Sequence, residues 1–114
     1  MKLFTKAIET KLLANGERFN TSPDFDPLPV VKLFTPDAGC TWLLASIDPA
    51  QPDIAYGLCD LGLGTPEIGS VSISELRRVR GKLGLHVERD RHFRADRALS
   101  AYAADASQKG TISV

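Results

Sequence analysis

The chain has 114 residues, of which 43% are hydrophobic and 25% charged, and its formal net charge at pH 7 is zero. This composition is typical of one ordinary globular domain and excludes a disordered or fibrous protein. Charged residues interrupt the N-terminus, and the apolar runs are far shorter than the roughly 20 residues of a membrane span, so we expect a soluble, cytoplasmic protein without a signal peptide.

An N-terminal helix is predicted over residues 5–14. Apolar residues recur there at three- and four-residue spacing, which places them on one face of a helix. Thr5 is the predicted N-cap, and the Asn15-Gly16 pair is a common helix stop. Residues 15–29 hold several prolines, so we expect them to form a long loop of the kind that often has a function.

Four strands are predicted next, over residues 30–35, 41–47, 54–61 and 67–73. Turn signals rich in proline, glycine and aspartate separate them. These connections are too short to contain a crossover helix, so neighbouring strands must be antiparallel. We therefore predict an α+β fold, in which an antiparallel meander of about four strands packs against the N-terminal helix.

A short helix is predicted near residues 75–80. Ser74 is the natural N-cap, and Ser72 is the alternative because Ser72 and Glu75 have the spacing of a capping box. A C-terminal helix is predicted over about residues 95–105.

A single domain is predicted to span residues 1–106, and residues 107–114 are expected to form a flexible tail. The two cysteines, Cys40 and Cys59, are too few to suggest a disulfide framework, and we expect both to be structural.

Charge is segregated along the chain. Residues 20–76 hold one lysine and eight acidic residues, a balance of −7, whereas residues 77–97 hold eight basic and three acidic residues, a balance of +5. Seven of those eight cations are arginine, whose planar guanidinium suits bidentate contact with carboxylate or phosphate. We call residues 77–97 the arginine-rich segment. Its arginines either pair with acidic residues of the same domain or bind an anionic partner.

The candidate surface, for partner binding or for structural ion pairs, comprises Arg77, Arg78, Arg80, Arg89, Arg91, Glu88, Asp90 and His92. The histidines and cysteines lack the spacing of a metal site, so no metal or other cofactor is predicted. Trp42, the only tryptophan, is expected in the core; it would mark an aromatic contact with a partner if its face were exposed. His92 with Glu88 and Asp90 has the residue types of a general acid–base pair, but such clusters are more often surface salt bridges, and no catalytic residue is assigned.

Two segments resemble a known family. The first is VKLFTP at residues 31–36, followed closely by Thr41-Trp42, and the second is SISEL at residues 72–76 with VRGKLGLHVERDRHF at residues 79–93. Together they resemble the bacterial domain-of-unknown-function family 2958, small proteins found often on plasmids and other mobile elements. The resemblance covers most of residues 1–97. It implies a cytoplasmic accessory protein and supplies no catalytic residue, because the family has no established activity.

We therefore expect a non-enzymatic accessory protein of a mobile element that binds a protein partner through the arginine-rich segment. A nucleic-acid-binding accessory protein is the first alternative, although a net charge of zero weakens it. A small hydrolase or transferase that uses the cluster from Glu88 to His92 is the second. A homodimer, with acidic residues of one copy against basic residues of the other, also stays open. No membrane partner is expected.

Overall fold

A computed structural model of the chain describes residues 3–114, and residues 1 and 2 of the predicted domain lie outside this range. The elements in chain order are α1 (Lys6–Thr21), β1 (Val31–Phe34), β2 (Thr41–Asp48), β3 (Gln51–Asp60), β4 (Glu67–Ser72), α2 (Ile73–Arg78), β5 (Glu88–Arg89) and α3 (Leu99–Lys109). The strands form one antiparallel sheet in the order β4-β3-β2-β1-β5. The α+β class and the four-stranded meander are confirmed. The fifth strand, β5, was not predicted.

Helix α1 continues well past its predicted end at residue 14. Asn15 and Gly16, which were expected to stop it, lie inside the helix where it packs against β2. The Asn15 side-chain amide donates to the carbonyl of Ala45 at 2.8 Å. A Cβ atom on Gly16 would lie 1.8 Å from the carbonyl oxygen of Ile47, so only glycine allows this approach. The predicted loop therefore begins later, because these tertiary contacts override the local stop signal.

The position of α1 follows from the short length of β1. Strand β1 pairs only with residues 41–44 of β2, although β2 continues to Asp48. A bulge at Ala45 interrupts the ladder between β2 and β3 at the same point. Helix α1 packs against this second part of β2, beside strand residues that β1 does not reach.

Helices cover both faces of the sheet. On one face, Leu12 of α1 and Leu76 of α2 pack in a cluster with Trp42. On the other face, Tyr102 of α3 packs in a second cluster with Leu58. The predicted packing of the sheet against the N-terminal helix α1 is confirmed. Helix α3 forms a further layer on the opposite face of the sheet. Trp42 is 3% exposed, so its ring is a core residue and not a surface contact.

The N-cap of helix α2 is Ser72, the alternative of the two predicted residues, and not Ser74. The Ser72 hydroxyl accepts a hydrogen bond from the Glu75 amide at 3.2 Å, which makes Ser72 the N-cap. Ser74 was the wrong choice because its amide and hydroxyl both donate to the Asp53 carboxylate at 2.9 Å.

Helix α3 begins and ends about four residues later than predicted, so the predicted domain boundary at residue 106 lies inside it. The chain beyond the helix contacts the sheet, since the Thr111 hydroxyl and the Ile112 amide both donate to the Asp60 carboxylate at 2.9 Å. The flexibility of residues 107–114 stays a prediction. Among residues 3–114, no helix is long and apolar enough to cross a membrane.

Candidate functional site

The arginine-rich segment crosses the molecule from one side of the sheet to the other. It starts on α2, which contacts β3 and β4, and it reaches β5, which pairs with β1 at the opposite edge. The predicted site residues therefore fall into two groups: Arg77, Arg78 and Arg80 on and just after α2, and Glu88, Arg89, Asp90, Arg91 and His92 at β5.

The β5 group lines an open groove of about 400 Å³ together with Lys32 and Phe34 of β1. The Lys32 ammonium lies 3.6 Å from the Asp90 carboxylate and also donates to the carbonyl of Val114. The structure thus brings the predicted residues from Glu88 to His92 together and places beside them Lys32, which sequence reasoning missed. The alternation of β1 was the available signal, since it places Lys32 and Phe34 on the same face of the sheet.

Asp90 holds the turn that follows β5. Its carboxylate accepts a hydrogen bond from the His92 amide at 2.8 Å, and its own amide donates to the Lys32 carbonyl at 2.9 Å. The pKa of Asp90 is lowered, first by the hydrogen bond from the His92 amide and then by the charge of Lys32. Within residues 3–114, the His92 imidazole has no hydrogen bond to Glu88 or Asp90. The hydrogen bond between His92 and Asp90 is therefore made by the His92 backbone amide.

Two arginines of the predicted surface bind backbone carbonyl groups. Arg89 is half-buried, and its guanidinium donates to the carbonyl of Leu3 at 3.0 Å, which ties the start of the described chain to β5. The Arg80 guanidinium donates to the carbonyls of Arg77 and Val79 at 2.9 Å each. A cation at the C-terminus of a helix suits the helix dipole, so Arg80 helps to end α2.

Residues 80–86 form a tight turn, which we call the leucine turn. An antiparallel bridge between Arg80 and His86 closes it, and the Gly81 amide donates to the Leu85 carbonyl at 3.1 Å. The tip of the turn exposes 80% of Leu83 and 43% of Leu85. Two leucines thus project from a turn whose exposed neighbours include Lys82 and other cations.

Asp37, in the connection between β1 and β2, holds the leucine turn in place. Its Oδ2 atom accepts hydrogen bonds from the amides of Leu83 at 2.5 Å and Leu85 at 3.4 Å. A Cβ atom on Gly81 would lie 1.6 Å from the Asp37 Oδ1 atom, so the contact requires glycine there. Sequence reasoning missed this contact, which joins residues 46 positions apart.

A second exposed apolar loop lies at the same end of the sheet. The connection between β3 and β4 exposes 57% of Leu61 and 79% of Leu63. It packs on the connection between β1 and β2, since a Cβ atom on Gly62 would lie 3.1 Å from the carbonyl oxygen of Gly39. That same connection holds Asp37, so the two leucine-bearing loops flank it.

Most of the cations in the arginine-rich segment lie outside the ion pairs that the described residues form. The ion pairs among residues 3–114 are Lys32–Asp90, Arg97–Asp96 and Lys109–Asp105. The exposed side chains of Arg77, Arg78, Arg80, Lys82, Arg91 and Arg94 have no partner in these pairs. Arg77 has only a minor electrostatic effect on Asp53, whose pKa is lowered chiefly by hydrogen bonds from Ser72 and Ser74.

The described residues contain no group of three or more histidine, cysteine or acidic side chains placed to hold a metal ion. Cys40 and Cys59 are free, half-buried thiols, and burial raises the pKa of Cys59, which makes it a poor nucleophile.

A family model described as a protein of unknown function, DUF2958, matches residues 3–113. The match extends beyond the resemblance seen in the sequence, which ended near residue 97, and it includes α3. No curated protein and no solved structure matches the chain. Because the family model covers nearly all of the sequence, the chain belongs to the DUF2958 family of proteins of unknown function.

Proposed function

We propose that this protein is a non-enzymatic accessory protein that binds a protein partner through its arginine-rich segment. The observation that carries the proposal is the leucine turn. There, the exposed side chains of Leu83 and Leu85 lie among cations that form no ion pair within the described residues.

An apolar centre surrounded by charge is the usual anatomy of a protein–protein interface. Exposed leucines add nothing to phosphate contacts, which dominate affinity for nucleic acids. The two hydrogen bonds that Asp37 accepts from the amides of Leu83 and Leu85 hold the leucine turn in one conformation, so binding requires little additional ordering of this loop.

The partner that this surface fits carries an apolar segment bordered by carboxylates. Lys82 and Arg78 provide the positive charge, and Leu83 is the apolar anchor. Complementary charge mainly speeds association and selects the partner, whereas the buried leucine slows dissociation. The setting that we propose is the bacterial cytoplasm, in a cell that carries a plasmid or other mobile element, and this part rests on the family resemblance alone.

Capture of binding partners from the native host, followed by calorimetry with the purified partner, tests the proposal. Leu83→Ser and Lys82→Glu should each weaken binding, because the first removes the anchor and the second reverses a complementary charge. Leu28→Ser is the matched control, since Leu28 is 51% exposed and lies outside the arginine-rich segment. Equal binding by Leu83→Ser and Leu28→Ser would contradict the proposal.

The salt dependence of binding distinguishes the proposed function from the nucleic-acid alternative. Binding to a DNA or RNA duplex that weakens steeply with salt, and that Leu83→Ser leaves unchanged, would replace the proposed function by that alternative. Hydrolase or transferase activity abolished by His92→Ala would replace it by an enzymatic one.

A further inference from the structure

The two edge strands of the sheet differ in length. Strand β5, at one edge, has two residues. Strand β4, at the other edge, has six residues, Glu67–Ser72, and within residues 3–114 it pairs with β3 alone. One side of β4 thus presents backbone donors and acceptors that no other strand of the described chain uses.

Strand β4 lacks several of the features by which proteins protect an edge. Its ladder with β3 runs without a register shift, whereas the ladder between β2 and β3 contains irregularities. The strand contains no lysine and no proline, which commonly block pairing at edges. At its centre, Gly69 adds no side chain to the face of the sheet, and a Cβ atom there would meet no other atom within 4 Å.

We propose that β4 is a self-association edge, at which the β4 strands of two copies of this chain pair antiparallel. Antiparallel pairing about the centre of β4 is two-fold symmetric, so each copy offers the other the same surface. The inference does not rest on the leucine turn, which is anchored at Asp37, between β1 and β2, and is not part of β4. It shares Arg77 and Arg78 with the arginine-rich segment proposed to bind the protein partner.

The charges at the two ends of β4 favour a second copy as the occupant. Glu67 begins the strand, is exposed, and has no ion pair among residues 3–114. Helix α2 follows the strand directly and carries Arg77 and Arg78, both exposed and likewise outside the ion pairs of the described chain. Antiparallel pairing brings Glu67 of each copy towards α2 of the other, so opposite charges meet at both ends.

The two central residues of β4 are small and uncharged. Because Gly69 and Ser70 carry no charge, no like charges oppose each other at the centre. The paired strands would continue the sheet from one copy into the next and would leave both leucine turns accessible. A dimer of this kind binds a multivalent partner more tightly than a single copy does.

Sedimentation velocity over a concentration series tests the inference. We expect the wild-type chain to dimerise, and Ser70→Lys to raise the dissociation constant of the dimer by roughly tenfold or more, because two lysines would face each other at the centre. Ser107→Lys is the matched control, since Ser107 is exposed on α3 and is not part of β4. Circular dichroism establishes that each variant is folded.

A charge-exchange pair tests the proposed orientation. Glu67→Arg should weaken the dimer, because Arg77 and Arg78 of the other copy would repel the new arginine. The double variant Glu67→Arg, Arg78→Glu should regain affinity, because opposite charges would meet again. The inference is overturned if the wild-type chain stays monomeric at every concentration reached. It is also overturned if Ser70→Lys dimerises as tightly as Ser107→Lys, because the dimer would then use another surface.

Discussion

The side-chain amide of Asn15 donates a 2.8 Å hydrogen bond to the backbone carbonyl of Ala45, and both residues are buried. Ala45 is the residue that the bulge leaves out of the ladder between β2 and β3. The bulge thus needs a donor from outside the ladder, and α1 supplies it. Asparagine often marks the end of a helix. Asn15 is instead required inside α1, because it supplies the donor for Ala45.

Replacing Asn15 should destabilise the protein. We expect Asn15→Ala to lower the free energy of unfolding by about 1–3 kcal/mol, the usual cost of leaving a buried acceptor without its partner. Urea denaturation followed by circular dichroism measures the change. Asn20→Ala in the same helix is the control, because Asn20 is exposed and a surface substitution should change stability by under about 0.5 kcal/mol. Equal midpoints for the two variants would contradict the role of Asn15.

Gly16→Ala should also destabilise the protein, although alanine favours a helix by about 1 kcal/mol over glycine. The new Cβ atom would lie 1.8 Å from the Ile47 carbonyl oxygen, so α1 and β2 must separate. We expect a net loss of about 1–3 kcal/mol, the usual cost of overpacking. Thermal denaturation measures it, with Thr10→Ala at an exposed position of α1 as the control. A Gly16→Ala variant that melts above the wild-type protein would show that the helix does not need this close approach.

The stability that Asp60 provides should depend on pH. Burial raises the pKa of this carboxyl, but hydrogen bonds from the amides of Ile112 and Gly62 and from the Thr111 hydroxyl lower it below its ordinary value. The unfolded chain therefore takes up this proton at a higher pH than the folded protein. The contribution is present above the ordinary pKa of about 3.9 and is lost as the pH falls through the lower pKa of the folded state.

Asp60→Asn should therefore be less stable than the wild-type protein at neutral pH, by about 1–3 kcal/mol. The difference should shrink as the pH falls below about 4. Urea denaturation at several pH values measures it, and a difference that is the same at every pH would contradict the assignment.

Hydrogen exchange of the Ile112 amide in the wild-type protein tests the predicted flexibility of residues 107–114, since slow exchange would contradict it.

The hydrogen bonds that the Asp37 carboxylate accepts should control the order of the leucine turn. We expect Asp37→Ala to speed hydrogen exchange at the amides of Leu83 and Leu85, because both lose their acceptor. Global stability should fall by less than about 1.5 kcal/mol per lost hydrogen bond, since the turn lies at the surface. Asp24→Ala, at an exposed position in the loop after α1, is the control. Unchanged exchange at Leu83 would show that the turn is held by its own backbone.

Local patterns in the sequence were sufficient for the class of the fold. The strands from residue 30 to residue 73 follow from alternation and turn residues, which act between near neighbours in the chain. The alternative capping box of Ser72 and Glu75 was also readable, since its partners are three positions apart. The clustering of arginine after residue 76 was visible directly.

Contacts between distant residues were decided only by the tertiary structure. The continuation of α1 through Asn15, the pairing of Lys32 with Asp90 and the anchoring of Leu83 by Asp37 each join residues at least 30 positions apart. The exposure of Leu83 in the leucine turn was also decided by the tertiary structure, because composition does not distinguish an exposed leucine from a core leucine. Sequence patterns report which structure a segment favours by itself, whereas close packing determines which of those preferences are overridden and which side chains remain at the surface.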